Sequence, residues 1–197
     1  MKCFIYDYET LGTTVENAAM ISIGYQHFDT KKFLEGDGYD YHKLVESAGF
    51  MKFDIKDQVT RLGRKVEAKT VKWWGEQSQE ARDSIAPKSD DVPLENLYEE
   101  FKTQAMTKPD WVFTRGNTFD PMFTYFSFKA MGKEDPFYFW TIRDVRSYID
   151  GLLVGNEHIG NSFVVPGLKE VFVAHDPRHD VAMDIMRMQS LHRELLL

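Results

Sequence analysis

Residues 3–10, Cys-Phe-Ile-Tyr-Asp-Tyr-Glu-Thr, contain the alternation of residue types that decides the fold. Side chains two positions apart on a β-strand point to the same face, so Asp7 and Glu9 share a face with Cys3 and Ile5. A turn-like segment follows, and then the apolar, strand-like residues 19–28. The two stretches together predict a β-hairpin whose first strand carries two acids.

Beyond the hairpin, strand-like and helical patterns alternate along the chain. Further strands are predicted at residues 39–45, 111–114 and 137–140. Helices are predicted from Thr70 towards Pro87, over 91–106, from Asp120 towards Gly132, over 143–153, and from Asp176-Pro177 almost to the C-terminus. Strands first, then strands alternating with helices, predict an α/β fold in which a mixed sheet is flanked by helices.

The composition limits the classes of protein to which the chain can belong. A length of 197 residues fits one domain over 1–197. The single cysteine, Cys3, excludes an internal disulfide framework and a cysteine-based zinc cage. No signal peptide is visible, and nothing approaches the roughly 20 apolar residues that a membrane helix needs. We therefore expect a cytoplasmic protein without a membrane partner.

The charge of the chain is acidic overall but unevenly distributed. A net charge of −7 argues against a protein that coats nucleic acid by bulk electrostatics. It does not argue against an enzyme that uses metal ions as its main positive charges. Residues 52–72 contain seven basic and three acidic side chains. This segment is either a solvated face or a track for a phosphate backbone.

Three acids are candidates for a metal site. Asp7 and Glu9 place two like charges on a mostly apolar strand, which costs free energy that a divalent cation would relieve. Magnesium prefers oxygen ligands and commonly binds one or two carboxylates together with phosphate. Alternatively, the two acids are exposed on an edge strand. Asp120, directly before Pro121, is either a third acid of the site or an N-cap.

A histidine and an acid near the C-terminus have the spacing of a helix start. With Asp176 as N-cap, His175 and Asp180 occupy the two positions that touch across the first turn of a helix. A histidine with a pKa near 6.5 can accept a proton from an attacking water at neutral pH. His179 and Asp184 have the same spacing, but both would lie within the helix on different faces. The first pair is therefore favoured.

The order of these motifs resembles that of the DEDDh exonuclease superfamily, whose members have a ribonuclease H-like fold. Within it, the chain is similar to the exonuclease A (Dex-type) 3′-to-5′ exodeoxyribonucleases of T-even phages. The strings that carry the similarity are DYETLG (7–12), KFDIKDQ (52–58), TVKWWGEQSQEARDSIAP (70–87), RGNTFD (115–120), FWTIRDVR (139–146) and FVAHDPRHDVAMDI (172–185). One departure is Pro177, where many members carry alanine.

The resemblance implies a role for each matching residue. The implied ligands of two Mg²⁺ ions, or Mn²⁺, are Asp7, Glu9, Asp120 and Asp180, and the implied general base is His175. Thr10 and Leu11 match the stretch that contacts the terminal nucleotide in relatives. Trp74 and Asn117 are further candidates for substrate binding. Trp73 or Trp74 would stack on a base, unless both are core aromatics.

The resemblance implies hydrolysis of single-stranded DNA from its 3′ end to nucleoside monophosphates. An exoribonuclease is the main alternative, because contacts with the 2′-hydroxyl decide between the two substrates. A catalytically silent nucleic-acid-binding module is a second alternative. An HD-type phosphohydrolase conflicts with the N-terminal strand pattern, and a dehalogenase-like phosphatase would need an aspartate in place of Glu9. A phage origin, implied by resemblance alone, would place the protein in the host cytoplasm.

Overall fold

The computed structural model describes residues 1–154 and 160–194. In these residues, five strands form one mixed sheet in the order β3-β2-β1-β4-β5. The strands are β1 (Lys2–Thr10), β2 (Met20–Asp29), β3 (Gly49–Lys52), β4 (Trp111–Thr114) and β5 (Ile142–Asp144). β1 and β2 form the predicted antiparallel hairpin, β3 continues it antiparallel to β2, and β4 and β5 add parallel strands on the other side of β1.

Helices cover both faces of this sheet, as the α/β prediction requires. The helices among the described residues are α1 (Tyr41–Ser47), α2 (Ile55–Arg61), α3 (Ala68–Gly75), α4 (Gln79–Ile85), α5 (Glu95–Ala105), α6 (Asp120–Ala130), α7 (Val145–Leu152) and α8 (Pro177–Glu194). Short 3₁₀ helices span Thr30–Leu34 and Phe139–Thr141. None of the helices in the described ranges is both long and apolar enough to cross a bilayer.

The alternation of residues along β1 divides the core into two halves. Ile5 lies in the cluster that includes residues of α1, α7 and α8. Phe4 and Tyr6 lie in the opposite cluster, which includes residues of α5 and α6. Because side chains two apart share a face, Asp7 and Glu9 continue the face that α8 covers.

A glycine allows α8 to approach the hairpin closely. Gly24 on β2 is paired with Asp7 on β1. A Cβ atom at position 24 would overlap the backbone of Pro177, the first residue of α8. The missing side chain therefore lets the start of α8 lie against the hairpin beside Asp7.

The strand predicted at residues 39–45 is wrong, because this segment forms α1. The side chain of Asp40 accepts a hydrogen bond from the backbone N–H of Lys43 at 3.0 Å, which caps the helix. Tyr41 and Leu44, three residues apart, are both buried on one side of it. The third strand of the sheet is instead β3, which begins only after α1 ends.

Two further boundaries differ from the prediction. The single helix expected between Thr70 and Pro87 is divided into α3 and α4, because Ser78 caps a new helix by accepting from the N–H of Ala81 at 3.1 Å. The strand expected at 137–140 begins only at Ile142, and most of the aromatic segment before it is exposed. The strand at 111–114 is confirmed, and α5, α6 and α7 confirm three predicted helices to within a few residues.

Candidate active site

Asp7 and Glu9 are two carboxyl groups of the site whose pKa is raised. Glu9 is only 7% exposed. Burial raises the pKa of Asp7 well above its usual value, and the charge of Asp120 raises it further. Burial also raises the pKa of Glu9, with Asp7 as the next contribution. The ionised form of this pair of acids would therefore be stabilised by a nearby positive charge.

Asp120 is the first residue of α6 and does not cap this helix. Phe119 occupies the N-cap position, and no side-chain cap hydrogen bond is present. Instead, Asp120 Oδ1 accepts a hydrogen bond at 3.2 Å from the backbone N–H of Tyr8, the residue between Asp7 and Glu9. Asp120 is 2% exposed, and burial raises its pKa to about 7. The N-cap alternative is thus wrong, and Asp120 joins α6 to the acidic segment of β1.

The predicted contact across the start of α8 is present, but the main chain of His175 makes it. Asp180 Oδ2 accepts a hydrogen bond from the backbone N–H of His175 at 2.8 Å. Burial raises the pKa of Asp180 to about 7, and the charge of Asp184 contributes next. His175 has a φ of 67°, in the left-handed region that a non-glycine residue rarely adopts. This hydrogen bond offsets part of the strain at His175.

The imidazole of His175 lies between the acids and the two tryptophans of α3. Its Nδ1 atom is 3.9 Å from Glu9 Oε1, and the side chain is 39% exposed. The rings of His175 and Trp73 meet edge to face, with centroids 4.8 Å apart. Burial lowers the pKa of His175, which favours the neutral imidazole that can accept a proton.

The alternative pair, His179 and Asp184, is not assembled. His179 Nδ1 lies 2.8 Å from the hydroxyl oxygen of Tyr41 on α1. Asp184 is buried and accepts hydrogen bonds of 2.6 Å from both Arg115 and Arg187. The structure therefore favours the pair His175 and Asp180.

A cavity of about 420 Å³ opens beside Glu9. It is lined by Tyr8, Glu9, Thr10, Thr13, Lys69, Thr70, Trp73, Trp74 and Phe119. Trp74 is 3% exposed and its indole N–H donates to the carbonyl oxygen of Thr10 at 3.0 Å, whereas Trp73 is 40% exposed. Trp73 rather than Trp74 is therefore the tryptophan with an accessible face for a base.

The other two residues predicted to bind substrate lie outside this cavity lining. Leu11 packs against the small cluster that contains Trp74. Asn117 is exposed, and its backbone N–H donates to Asp144 Oδ2 at 3.1 Å. Their roles remain predictions.

The basic residues of segment 52–72 do not form one continuous track. Lys52 is buried beside Asp91, with 3.6 Å between Nζ and Oδ1. Arg64 is also buried, and its guanidinium donates to the carbonyl oxygen of Ala18 at 2.6 Å. Lys69 is the member of the segment that lines the cavity. Lys52 and Arg64 thus make internal contacts of the fold.

Arg115 is part of the site's electrostatics, and the sequence did not predict it. It donates to Asp184, and its second guanidinium nitrogen donates to Ser162 Oγ at 2.7 Å. Burial raises the pKa of Asp7, and the charge of Arg115 opposes that rise. Arg115 is the first residue of the string RGNTFD (115–120), but nothing in the sequence alone assigned it a role.

This sheet order, and this grouping of acids with a histidine, define a class of protein: an exonuclease of the DEDDh type on a ribonuclease H-like fold. Known proteins agree, and they confirm both the fold class and the resemblance. The chain belongs to the family described as the 3′-5′ exoribonuclease Rv2179c-like domain, which it matches over residues 2–165.

Individual relatives support the same assignment. The chain is 31% identical over 205 aligned positions to an exodeoxyribonuclease of enterobacteria phage T4, covering 94% of this chain and 87% of the relative. A structure of exonuclease I aligns with 99% of this chain at a TM-score of 0.62 and 14% identity. A zinc-bound exonuclease I–single-stranded DNA complex of E. coli aligns with 98% of it at 0.56 and 15%. The chain spans 43% and 41% of those two exonuclease I chains. At these identities the alignments show a shared fold.

Proposed function

We propose that this 3′-to-5′ exonuclease is metal-dependent and hydrolyses single-stranded DNA to nucleoside monophosphates. One observation carries the proposal: β1, α6 and the start of α8 bring Asp7, Glu9, Asp120, His175 and Asp180 together. Ligand atoms of Glu9, His175 and Asp180 lie within 4.8 Å of one another. Asp120 accepts a hydrogen bond from the backbone N–H of Tyr8, the residue between the two acids of β1.

The chemistry of the four carboxylates fits hard divalent cations such as Mg²⁺ or Mn²⁺. All four acids have a raised pKa, with burial as the largest cause, so each is more stable beside added positive charge. Asp7, Glu9, Asp120 and Asp180 would hold two such ions. When bound, the ions supply positive charge that stabilises the charge developing on the phosphate oxygens.

The chain's own residues account for the remaining steps. His175 would take the proton of the attacking water at its imidazole, whose neutral form is favoured because burial lowers its pKa. Trp73 would hold the imidazole in place through the edge-to-face contact. The cavity beside Glu9, with the accessible face of Trp73 and with Phe119, would take the terminal nucleoside by stacking.

DNA is the substrate that the relatives favour. The T4 relative, described as an exodeoxyribonuclease, matches nearly the whole chain. The E. coli structural neighbour is a complex with single-stranded DNA. RNA is the second candidate, because the family itself is described as an exoribonuclease domain.

An assay with matched oligonucleotides tests the proposal. We expect 5′-labelled single-stranded DNA to shorten stepwise from its 3′ end and to release mononucleotides, and EDTA to stop the reaction. RNA of the same sequence, and DNA with one 3′-terminal ribonucleotide, should be degraded more slowly. Faster degradation of both ribose-containing substrates would make the enzyme an exoribonuclease. Activity that survives EDTA, or that begins at the 5′ end, would exclude the proposal.

The raised carboxyl pKa values also predict how metal and pH affect stability. The folded-state pKa of Asp120 and of Asp180 is about 7, above the unfolded value near 4. Between these values the folded state binds more protons than the unfolded state, so the metal-free protein loses stability as pH rises from about 4 to about 7. Metal binding compensates for this loss only where the carboxylates are ionised.

We therefore expect Mg²⁺ to raise the melting temperature more at about pH 8 than at about pH 5.5. A free metal concentration 100 times its Kd stabilises by about 2.7 kcal/mol. For a chain of this size that corresponds to a shift of roughly 5–10 °C. Differential scanning calorimetry of EDTA-treated protein, with and without saturating Mg²⁺, measures the two shifts. Equal shifts at the two pH values would contradict the prediction.

A further inference from the structure

Three consecutive aromatic residues, Tyr138, Phe139 and Trp140, are exposed just before β5. Phe139 is the most open of them, with 82% of its surface accessible to solvent. Apolar rings left in water cost free energy, and contiguous exposed apolar patches mark binding surfaces. These three residues form the aromatic segment, which belongs to neither half of the described core nor to the lining of the cavity beside Glu9.

The backbone of the aromatic segment is fixed on both sides. The residue before it, Phe137, is buried in the core. The hydroxyl of Thr141, the residue after it, donates to the carbonyl oxygen of Tyr138 at 2.6 Å. The guanidinium of Arg143 donates to the carbonyl oxygen of Trp140 at 2.7 Å. An ordered backbone therefore presents the rings, which lowers the entropic cost of binding a ligand to them.

The rings of the aromatic segment are arranged for stacking. Those of Tyr138 and Trp140 are parallel within 7°, with centroids 4.5 Å apart. Phe139 meets Trp140 edge to face at 5.1 Å. Exposed flat faces of this kind bind the bases of single-stranded nucleic acid, and they do so without sequence preference because every base has a π-face.

The charge around the aromatic segment suits a polyanion. Residues 129–143 contain three basic and two acidic side chains, whereas the chain as a whole carries a net charge of −7. Within residues 1–154 and 160–194, no carboxylate forms an ion pair with Arg143, whose guanidinium lies 5.2 Å from the ring of Trp111. Single-strand-binding surfaces combine aromatic faces with positive charge in this way.

The position of the aromatic segment fits the part of a strand that leaves the active site. The cavity beside Glu9 has the size of one small ligand, so a longer substrate has to run over the outer surface. In the register of β1, β4 and β5, Trp140 lies two strands away from Asp7 and about five residues further back. With about 3.3 Å per residue and about 4.8 Å between strands, the separation is roughly 20 Å. A stacked strand that rises about 3.4 Å per nucleotide spans it with about six nucleotides.

We propose that the aromatic segment is a second binding surface for single-stranded DNA, which holds bases about six nucleotides before the 3′ end. The bases stack on the rings, and Arg143 contacts the phosphates. That the bound strand is the substrate rests on the proposed function. A second copy of the chain would need apolar contact area alone, whereas a single strand needs flat ring faces and a cation, and the aromatic segment offers both.

Binding to the intact, EDTA-treated protein tests the surface without any cleavage. The probe is a 5′-fluorescein-labelled oligothymidylate of 20 nucleotides, followed by fluorescence anisotropy. We expect the double variant Phe139→Leu/Trp140→Leu, which keeps apolar side chains but no flat rings, to bind at least about tenfold more weakly. Phe139→Tyr/Trp140→Phe keeps the rings and should bind within about threefold of the parent protein. Leu34→Ala, at an exposed position of the first 3₁₀ helix, is the matched surface control.

Two results of the anisotropy measurement would overturn the surface: a parent protein that does not bind the 20-mer, or equal affinity in the parent and the leucine variant. Sedimentation velocity identifies the rival occupant. If the parent protein self-associates and the leucine variant does not, while both bind DNA equally, the aromatic segment is an interface between copies of the chain.

The Mg²⁺-supported reaction tests whether the surface serves the substrate. We expect the leucine variant to raise KM for the 20-mer about tenfold and to change KM for a 4-mer, which is too short to reach the rings, by less than about twofold. Equal increases for both lengths would overturn the distal position of the surface. If the parent protein degrades no DNA, the proposed function fails, and the anisotropy measurement still decides whether the aromatic segment binds a single strand.

Discussion

Replacing Asp7 with asparagine should lower the rate of hydrolysis by at least about a thousandfold and leave the protein folded. Metal-based stabilisation of charge on a transferring phosphate contributes several kcal/mol, and about 4 kcal/mol corresponds to this factor. Asp7 is the acid whose ionised form is opposed by burial and by Asp120, Asp180 and Asp184. Its loss would remove a proposed ligand that lies among the other acids of the site.

The stability of the Asp7→Asn protein separates a lost ligand from a lost fold. Without metal, at about pH 8, we expect this variant to melt at or above the temperature of the parent protein, since asparagine removes a carboxylate whose ionised form this site disfavours. Its melting temperature should respond less to Mg²⁺. Asp90→Asn, at an exposed position, is the matched control for both activity and melting. Near-parental turnover in Asp7→Asn would mean that the metal site is misassigned.

The second large effect is expected at His175. The His175→Asn variant should lose about 10²–10⁴-fold in kcat, the usual contribution of a general base, with a much smaller change in KM. The imidazole lies beside Glu9 and against Trp73, where partial burial lowers its pKa and so favours the neutral form. Asparagine preserves the left-handed backbone and the N–H donated to Asp180, so the start of α8 should stay in place.

His179→Gln is the control that tests which histidine is the base. His179 contacts Tyr41 rather than the acids, so its replacement should leave kcat within about threefold of the parent value, well below a general-base effect. Steady-state kinetics at saturating Mg²⁺ measures both variants. If His179→Gln loses more activity than His175→Asn, the assignment of the histidine is wrong. If both retain activity, neither imidazole acts as the base.

Much of the fold can be predicted from sequence patterns that span only a few residues. The alternation in residues 3–10 predicts the strand that places Asp7 and Glu9 on one face, and the structure confirms the hairpin and the mixed sheet. The helix-start spacing at residues 175–180 likewise predicts the contact between His175 and Asp180. Such patterns are readable because the periods of strands and helices are set by local backbone geometry.

Other features depend on groups that are distant in the chain. Asp120 reads locally as a helix cap, but its carboxylate binds the N–H of Tyr8, 112 residues away in sequence. Asp184 has the spacing to accompany His179, but it is instead paired with the guanidinium groups of Arg115 and Arg187. In each case the local sequence pattern is compatible with two different partners for the aspartate. The partner found in the structure is the one that pairs a group removed from water, either a backbone N–H or a charged side chain.

The sequence by itself determined that two acids share a face of the first strand and that a histidine meets an aspartate at the start of the last helix. Only the tertiary structure decided that these two places adjoin. Gly24 lets α8 lie against the hairpin, and this packing brings Asp180 and His175 to Glu9. The physical reason is the distance in sequence over which each effect operates. The periods of strands and helices are set by neighbouring residues, whereas the contact of β1 with α8 depends on packing across the whole sheet.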